Sequence, residues 1–530
     1  MGIYVNPDSG RMRTNMRQDP YVDKSMILTE LNKLYDAERR FLCVSRPRRF
    51  GKTMVGNLIA TYYSRGAADS RAIFERMRVA ETEGWDAHLG EACVIKVDLN
   101  SFYERFHAGG GVIEGMTRKV VEELMSEFPD VALSPDAPLP DAMVSIHQRH
   151  GVKFVVIIDE YDVFVRQRAT EAEMRSYLSF LNSMFKADDV GVTIALAYLT
   201  GIIPIVRDKI QSKLNNFREY TMLRPMELAS YIGFTLDEVR VLCEARGMDY
   251  GECLRWYDGY RLAPGVSVCN SNSVCEAMAS GVFGDYWTAT GSYEVVSDYV
   301  SLNFDGTRDA VVAMLAGGSA PVNASSFLNS PDSIASRDDV LTYLVHLGYL
   351  SYDRGSGECR IPNGEIRAEW DNALRRLDGY RGLVGVVDAS RRLLEATLAR
   401  DGATVAELLD RAHEEATGPL TYNNEGAMQS AVALAYLYAR NFYNVVKELP
   451  AGRGYADLAF LPLPGAGARP AIVVELKVDR SPDTALDQIR ARRYPAALAQ
   501  YRGEILLVGV SYGKKSRRHR CKIERMTMGN

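Results

Sequence analysis

Arg46-Pro47-Arg48-Arg49-Phe50-Gly51-Lys52-Thr53, which follows the apolar run Arg40 to Ser45, decides the fold of the N-terminal half. A strand that turns through glycine into Lys-Thr and a helix presents backbone amides, an ammonium and a hydroxyl to a phosphate. Gly51, Lys52 and Thr53 supply the second half of the G-x-x-x-x-G-K-[ST] pattern. The first glycine would fall at Arg46, and Pro47 has no amide hydrogen to offer. Arg48, Arg49 and Phe50 complete the expected nucleotide-binding set. Singly, Arg48, Arg49 and Arg207 either stabilise transferred charge or coat a solvated edge.

The partner motif is the apolar strand Val155-Val156-Ile157-Ile158 ending in Asp159-Glu160. A strand end of this kind puts one carboxylate on a metal's water shell and the next beside the attacking water, so Asp159 is expected to contact Mg²⁺ and Glu160 to act as general base. Thr53 is the second Mg²⁺ contact. A further strand, read over Val190 to Leu199, ends at Thr200-Gly201, where Thr200 would sense the γ-phosphate. The alternative is an ordinary strand-to-helix turn with a surface carboxylate pair.

Around these motifs the first part of the chain alternates. Strand signals at 40–45, 93–99, 154–158 and 190–199 are separated by helical patterns at 52–63, 112–128 and 171–186, which argues for a parallel sheet covered on both faces. From about Met222 helical patterns dominate. Asp338 to Leu347 reads as a helix leading into Gly348-Tyr349-Leu350-Ser351-Tyr352 and Glu358-Cys359-Arg360-Ile361-Pro362, the layout of a winged helix. From Gly418 a separate α/β unit follows.

That last unit carries Gly454-Tyr455-Ala456-Asp457 and Ile472-Val473-Val474-Glu475-Leu476-Lys477. Phosphodiester hydrolysis needs carboxylates on a divalent metal and a cation to align the water. Glu475 and Lys477, two apart on a strand, share a face, while Leu476 points into the core. Asp457, Glu475 and Lys477 are therefore the expected catalytic set. Glu425 opens a helix read over 425–438 and would add a metal-binding carboxylate, and Gln488 and Tyr494 would meet the metals or the phosphate backbone. A lone E-x-K also arises on charged edge strands. Lys514, Lys515, Arg517 and Arg518 form a cationic run that would either track a nucleic-acid backbone or lie solvated.

Composition narrows the setting. At 530 residues the chain exceeds one core, and its 47% hydrophobic and 25% charged content is ordinary for a globular protein. A formal net charge of −5 gives no global attraction to nucleic acid, so contacts must be local. The eight cysteines form no C-x-x-C pair, which indicates neither a disulfide framework nor a zinc site. No basic leader and no apolar run near the roughly 20 residues of a membrane span is present, so no membrane partner is expected and a cytoplasmic location is the simplest expectation.

These residues together resemble a known family, the prokaryotic AAA-ATPase-like proteins with a C-terminal PD-(D/E)XK nuclease-superfamily domain. The resemblance rests on Tyr21-Val22-Asp23-Lys24-Ser25, Arg46 to Thr53, Ile158-Asp159-Glu160-Tyr161-Asp162, Leu214-Asn215-Asn216, Trp256-Tyr257-Asp258-Gly259-Tyr260 and Leu347-Gly348-Tyr349-Leu350. In the C-terminal part it rests on Gly454 to Asp457, Glu475-Leu476-Lys477 and Gln488-Ile489. It implies that the arginine-rich loop without its first glycine is the form this family uses to bind ATP. Asn270-Ser271-Asn272-Ser273 departs from the Asn-Pro-Trp-Ser more usual there, which bears on local packing.

The expected fold is α/β. It comprises an AAA-like P-loop ATPase core (1–222), a helical lid region (223–300), a helical and winged-helix-like region (301–417) and a PD-(D/E)XK nuclease-like domain (418–530). The expected function is an ATP-hydrolysing protein with Mg²⁺-dependent nuclease activity, Mn²⁺ being an alternative ion, on DNA ahead of RNA. A role in defence against mobile elements and self-assembly into a homo-oligomer are further expectations. The competing expectation is a nucleotide-switched nucleic-acid binder or a recombination accessory ATPase that does not cleave.

Overall fold

The computed structural model describes residues 2–205, 214–287, 294–377, 380–417, 425–451, 454–463, 469–491 and 503–527. Arg207 and Tyr494 lie outside these residues, as does the side chain of Glu425. The chain divides into two compact units, Met1–Thr307 with Pro321–Trp370, and Arg308–Ala320 with Asp371–Asn530.

The first unit is built on strands β1 (Phe41–Ser45), β2 (Cys93–Asp98), β3 (Phe154–Asp159), β4 (Ile194–Gly201) and β5 (Arg218–Tyr220). They form one sheet in the order β2-β3-β4-β1-β5, and every adjacent pair is parallel. Strands β1, β3 and β4 are buried at every position, as expected where helices cover both faces and the sequence shows continuous apolar runs. The helix Val112–Glu127 buries Val112, Ile113, Met116, Val120, Val121 and Leu124, a stripe at helical spacing, in the core it shares with the sheet. Parallel strands point their carboxyl ends the same way, so Ser45, Asp98 and Asp159 finish on one edge, where open α/β sheets bind ligands.

Three elements differ from their sequence expectation. Val190 belongs to a short helix, Asp188–Gly191, and β4 starts only at Ile194. Two aspartates occupy that helix's first turn, and the Thr193 hydroxyl donates to the Val190 carbonyl at 2.7 Å, closing the turn before the strand begins. The stretch after Met222 also contains a three-stranded sheet of β6 (Phe234–Thr235), β7 (Tyr260–Ala263) and β8 (Val266–Cys269) in the order β6-β8-β7, alongside the helices Leu236–Arg246, Tyr250–Tyr257 and Ser271–Ser280. The helix expected over 425–438 ends at Ala435 and gives way to a 3₁₀ turn, Leu437–Asn441.

A two-residue strand, β9 (Ala320–Pro321), lies where the chain crosses from one unit to the other. The helix Arg337–Leu347 is followed by the antiparallel hairpin of β10 (Ser351–Asp353) and β11 (Glu358–Arg360).

The second unit holds a five-stranded sheet of β12 (Tyr443–Ala451), β13 (Gly454–Pro462), β14 (Ala471–Val478), β15 (Glu504–Gly513) and β16 (Arg518–Thr527), in sequential order. Only β14 and β15 run parallel, so a crossover must join them, and the helix Pro482–Ala491 lies within it. Side chains alternate along β14. Ile472, Val474 and Leu476 enter a core shared with the helices Arg381–Leu398, Gly402–Thr417 and Glu425–Ala435, whereas Ala471 and Val473 pack with Leu486 and Ile489 of the crossover helix. Glu475 and Lys477 share the latter face.

Candidate nucleotide and nuclease sites

The loop from Arg46 to Gly51 leaves β1 and enters the Lys52–Tyr63 helix, with Arg49 at φ +64° and Gly51 at φ +89°. Gly51 is the residue that makes this turn without a side-chain penalty, and it caps the helix from the left-handed region. Lys52 is buried, and its ammonium donates to the Arg46 and Pro47 carbonyls at 3.0 and 2.9 Å. Burial lowers its pKa from the ordinary lysine value, while Glu160, Asp159 and Asp162 oppose that shift. The Thr53 hydroxyl donates to Asp159 Oδ2 at 2.7 Å, which joins the two groups expected to hold Mg²⁺. Asp159 is 3% exposed, and burial raises its pKa against the pull of Thr53, Lys52 and Lys96.

Glu160 sits at φ +56°, and its carboxylate pairs with Arg166. Arg166 Nε also lies 3.2 Å from Asp162 Oδ1, and Asp162 Oδ2 accepts the Ile202 and Ile203 amides at 2.9 and 2.8 Å. The general-base candidate is thus tethered to the β4 end. Burial raises the Glu160 pKa, with Lys52 and Arg166 acting in the opposite direction.

Arg48, Arg49, Gly51, Lys52, Thr53, Asp159 and Glu160 line one cavity of about 930 Å³, which Phe50 also borders. Thr200 is not among its lining residues. It lies in β4 opposite Asp159, buried, and its hydroxyl has no hydrogen-bond partner among the described residues. Arg46, at the position of the missing glycine, is wholly buried and ties the loop down. Its guanidinium donates to the Ser45, Tyr220 and Leu228 carbonyls at 2.9, 3.1 and 3.5 Å, and burial lowers its pKa to about 10.

Residues far along the chain also clamp the loop. Gly233 N donates to the Phe50 carbonyl at 2.9 Å, Phe50 meets Tyr260 edge-on at 5.1 Å, and Ser271 Oγ and Asn272 N both reach the Arg49 carbonyl at 3.3 Å. The departure at Asn270 to Ser273 therefore falls on the cavity wall. Asn270 caps the Ser271–Ser280 helix there, accepting from the Asn272 and Ser273 amides at 2.9 and 3.2 Å.

In the second unit the β13–β14 ladder runs from Phe460–Ile472 to Leu458–Val474, and one step further the strands bring Asp457 beside Glu475. There the Leu476 amide donates to the Asp457 side chain, Oδ2, at 2.7 Å. Lys477 Nζ contacts Glu475 Oε1 at 3.1 Å and the Leu476 carbonyl at 3.0 Å, and Gln488 donates to the same Glu475 oxygen. The crossover helix can approach that closely because Gly509, opposite Glu475 on β15, has no side chain; a Cβ there would collide with the Pro482 carbonyl.

Gln429, which no sequence motif singles out, donates its amide to the Asp457 carbonyl at 2.6 Å and fixes that residue's backbone. Glu425 begins the same helix. No group of three or more His, Cys, Asp or Glu poised around a metal occurs among the described residues. Asp457 and Glu475 nonetheless supply hard oxygen donors of the kind Mg²⁺ and Mn²⁺ take, so the donor chemistry fits such an ion. Lys514, Lys515 and Arg517 lie in the exposed turn between β15 and β16, and Arg518 opens β16; Arg518 leans on Asp410 at 3.2 Å, and further along the run Lys522 pairs with Asp483 at 2.5 Å.

The fold and sites define a protein that joins a nucleotide-triphosphatase-type unit to a nuclease-type unit. The comparisons agree with that arrangement: residues 12–211 match the family described as "Predicted AAA-ATPase" and residues 423–522 match the PD-(D/E)XK nuclease superfamily. No curated protein matches it. Among solved structures, the Aeropyrum pernix ORC1 protein in complex with DNA is 13% identical, with 72% of this chain and 99% of that one covered at a TM-score of 0.25. AMPPCP-bound DnaA from Aquifex aeolicus is 10% identical, with 68% and 90% covered at 0.26. The Aeropyrum pernix ORC2 protein is 13% identical, with 66% and 91% covered at 0.29. At these TM-scores the three likenesses carry no further weight. No helix among the described residues is long and apolar enough to cross a membrane.

Proposed function

We propose that the chain hydrolyses ATP and, under its control, cleaves nucleic acid with a divalent metal, DNA ahead of RNA. The observation that carries this is the knot of Glu475, Lys477 and Gln488 on one sheet face beside Asp457. A protein that only held nucleic acid would have no use for a nearly buried lysine aligned with a carboxylate pair.

In this reading Asp457 and Glu475, with Glu425 in support, hold Mg²⁺ or Mn²⁺, which when bound polarises the scissile phosphate. Lys477 orients the water, and Gln488 keeps Glu475 in place. The exposed Lys514, Lys515 and Arg517, with Arg518, attract the backbone. In the first unit Thr53 and Asp159 serve the nucleotide's Mg²⁺, and Lys52 exchanges the Arg46 and Pro47 carbonyls for phosphate oxygens. Glu160 accepts the water's proton once released by Arg166, and Arg48 and Arg49 offset phosphate charge.

The test is a panel of end-labelled single- and double-stranded DNA and RNA incubated with Mg²⁺ or Mn²⁺, with and without ATP. The proposal expects metal-dependent cleavage whose rate changes with ATP. Nucleotide-dependent binding or assembly without cleavage under any condition would replace it with the binder or accessory-ATPase reading.

A further inference from the structure

Lys96 stands in the middle of β2, within Cys93-Val94-Ile95-Lys96-Val97, where every neighbour is apolar and buried. It is 7% exposed, yet its ammonium forms no ion pair and no side-chain hydrogen bond with any described residue. Alternation puts it on the same sheet face as Asp98, beneath the Lys52–Tyr63 helix, where a Cβ at Gly56 would stand 3.7 Å from Lys96 Cε. A lysine taken out of water without a partner is costly, and burial pulls its pKa down, with Asp159 and Asp98 opposing and Arg11 assisting. By contrast Lys24, another buried lysine whose pKa burial lowers, has Glu238 at 2.5 Å.

Lys96 lines a second cavity, of about 360 Å³, which touches the nucleotide cavity only at the shared residue Asp98. Arg11 and Arg105 line it too, and neither pairs with a carboxylate among the described residues. Arg105 donates to the Ser101 carbonyl and the Tyr4 hydroxyl at 3.0 and 3.2 Å while stacked on Phe102. The two acids in the wall are already engaged: Asp8 accepts the Gly10 amide at 2.9 Å, and Asp98 caps its helix through the Asn100 and Ser101 amides at 3.0 and 3.3 Å. Three cations and two carboxylates thus line this space, leaving an excess of one positive charge.

We propose that this second cavity binds a small phosphate-bearing anion, with Lys96 as its buried charge and Arg11 and Arg105 at its mouth. Phosphate is the anion that a lysine point charge and flanking guanidiniums suit best. The size is that of a small-molecule pocket, and a charge as enclosed as Lys96 is out of reach of a polymer backbone. The inference depends on neither ATP hydrolysis nor nucleic-acid cleavage. Its ligand is either free orthophosphate or the phosphate of a nucleoside monophosphate.

The test is calorimetric titration of the full chain, free of nucleotide, with orthophosphate and separately with AMP, using wild type, Lys52→Ala, Lys96→Met and Arg11→Ser. Binding of either ligand should survive Lys52→Ala, which disables only the phosphate loop. It should weaken by about tenfold or more in Lys96→Met, the loss expected when a charge-assisted contact is removed. Lys96→Met should fold, because it replaces an uncompensated buried charge by an apolar chain of similar length. Arg11 is exposed, so Arg11→Ser gives an independent reading and should weaken binding several-fold. Orthophosphate binding identifies the free ion as sufficient; AMP binding alone assigns the phosphate to a nucleoside. Unchanged affinity in both Lys96→Met and Arg11→Ser, loss in Lys52→Ala alone, or no binding of either ligand at millimolar concentration overturns the proposal.

Discussion

Lys477→Met removes the ammonium that joins Glu475 Oε1 at 3.1 Å to the Leu476 carbonyl at 3.0 Å, while keeping most of the side-chain volume. Glu475 is 1% exposed and Lys477 7%, so water can do little to replace the lost cation. Breaking a buried pair and leaving one charge behind costs about 3–5 kcal/mol. The Gln488 amide still reaches Glu475 and offsets about 1 kcal/mol of that. A net loss of about 3 kcal/mol corresponds to roughly a hundredfold faster exchange of amides that open with this sheet. Hydrogen exchange read by mass spectrometry on peptides spanning β14 and β15 measures this region without requiring the whole chain to unfold in two states. The double variant Glu475→Gln/Lys477→Met leaves no stranded charge and should return to within about 1 kcal/mol of wild type. Exchange in Lys477→Met within about threefold of wild type, a difference of under 1 kcal/mol, would refute the buried-pair argument, as would a double variant as fast as the single one.

Other consequences can be checked separately. Lys52→Ala should abolish ATP binding measured by fluorescent-nucleotide titration, and wild-type affinity would remove Lys52 from the site. Gly509→Ala should place a methyl on the Pro482 carbonyl, cost about 1–3 kcal/mol by thermal melting and slow any cleavage by moving Gln488; an unchanged melting point would contradict the close approach. Burial pushes Glu365 and Glu369 up to about 7. The unfolded chain releases these protons near 4.5 and the folded chain near 7, so each acid weakens folding as pH rises through that window, by at most about 3 kcal/mol. Glu369→Gln should therefore melt higher than wild type at alkaline pH, and the gain should vanish in acid; a gain independent of pH would argue that Glu369 is not held protonated.

The elements that hold the chemistry were the most legible from residues alone. The helix Lys52–Tyr63 and the β3 strand ending in Asp159 follow directly from an apolar run meeting Gly-Lys-Thr or Asp-Glu, since both are set by local pattern. The alternation Val474-Glu475-Leu476-Lys477 likewise fixed which side chains share a face. Short strands escaped, because β6 has two residues and β7 and β8 four each, too few for alternation to register. So did contacts between segments remote in sequence. Nothing local marks Arg46 as a buried strut, Arg166 as the partner of Glu160, or Gln429 as the support of Asp457. Strand β4 was read only to Leu199 but runs on through Thr200 and Gly201, because pairing with β1 and β3 continues there.

The most direct test of the account is cleavage of labelled DNA across an Mg²⁺ and Mn²⁺ titration by purified wild type and Glu475→Ala, with ATP turnover measured on the same samples. The account predicts metal-dependent cleavage by wild type, none by Glu475→Ala, and equal ATP turnover in both. Cleavage that persists in Glu475→Ala would contradict it.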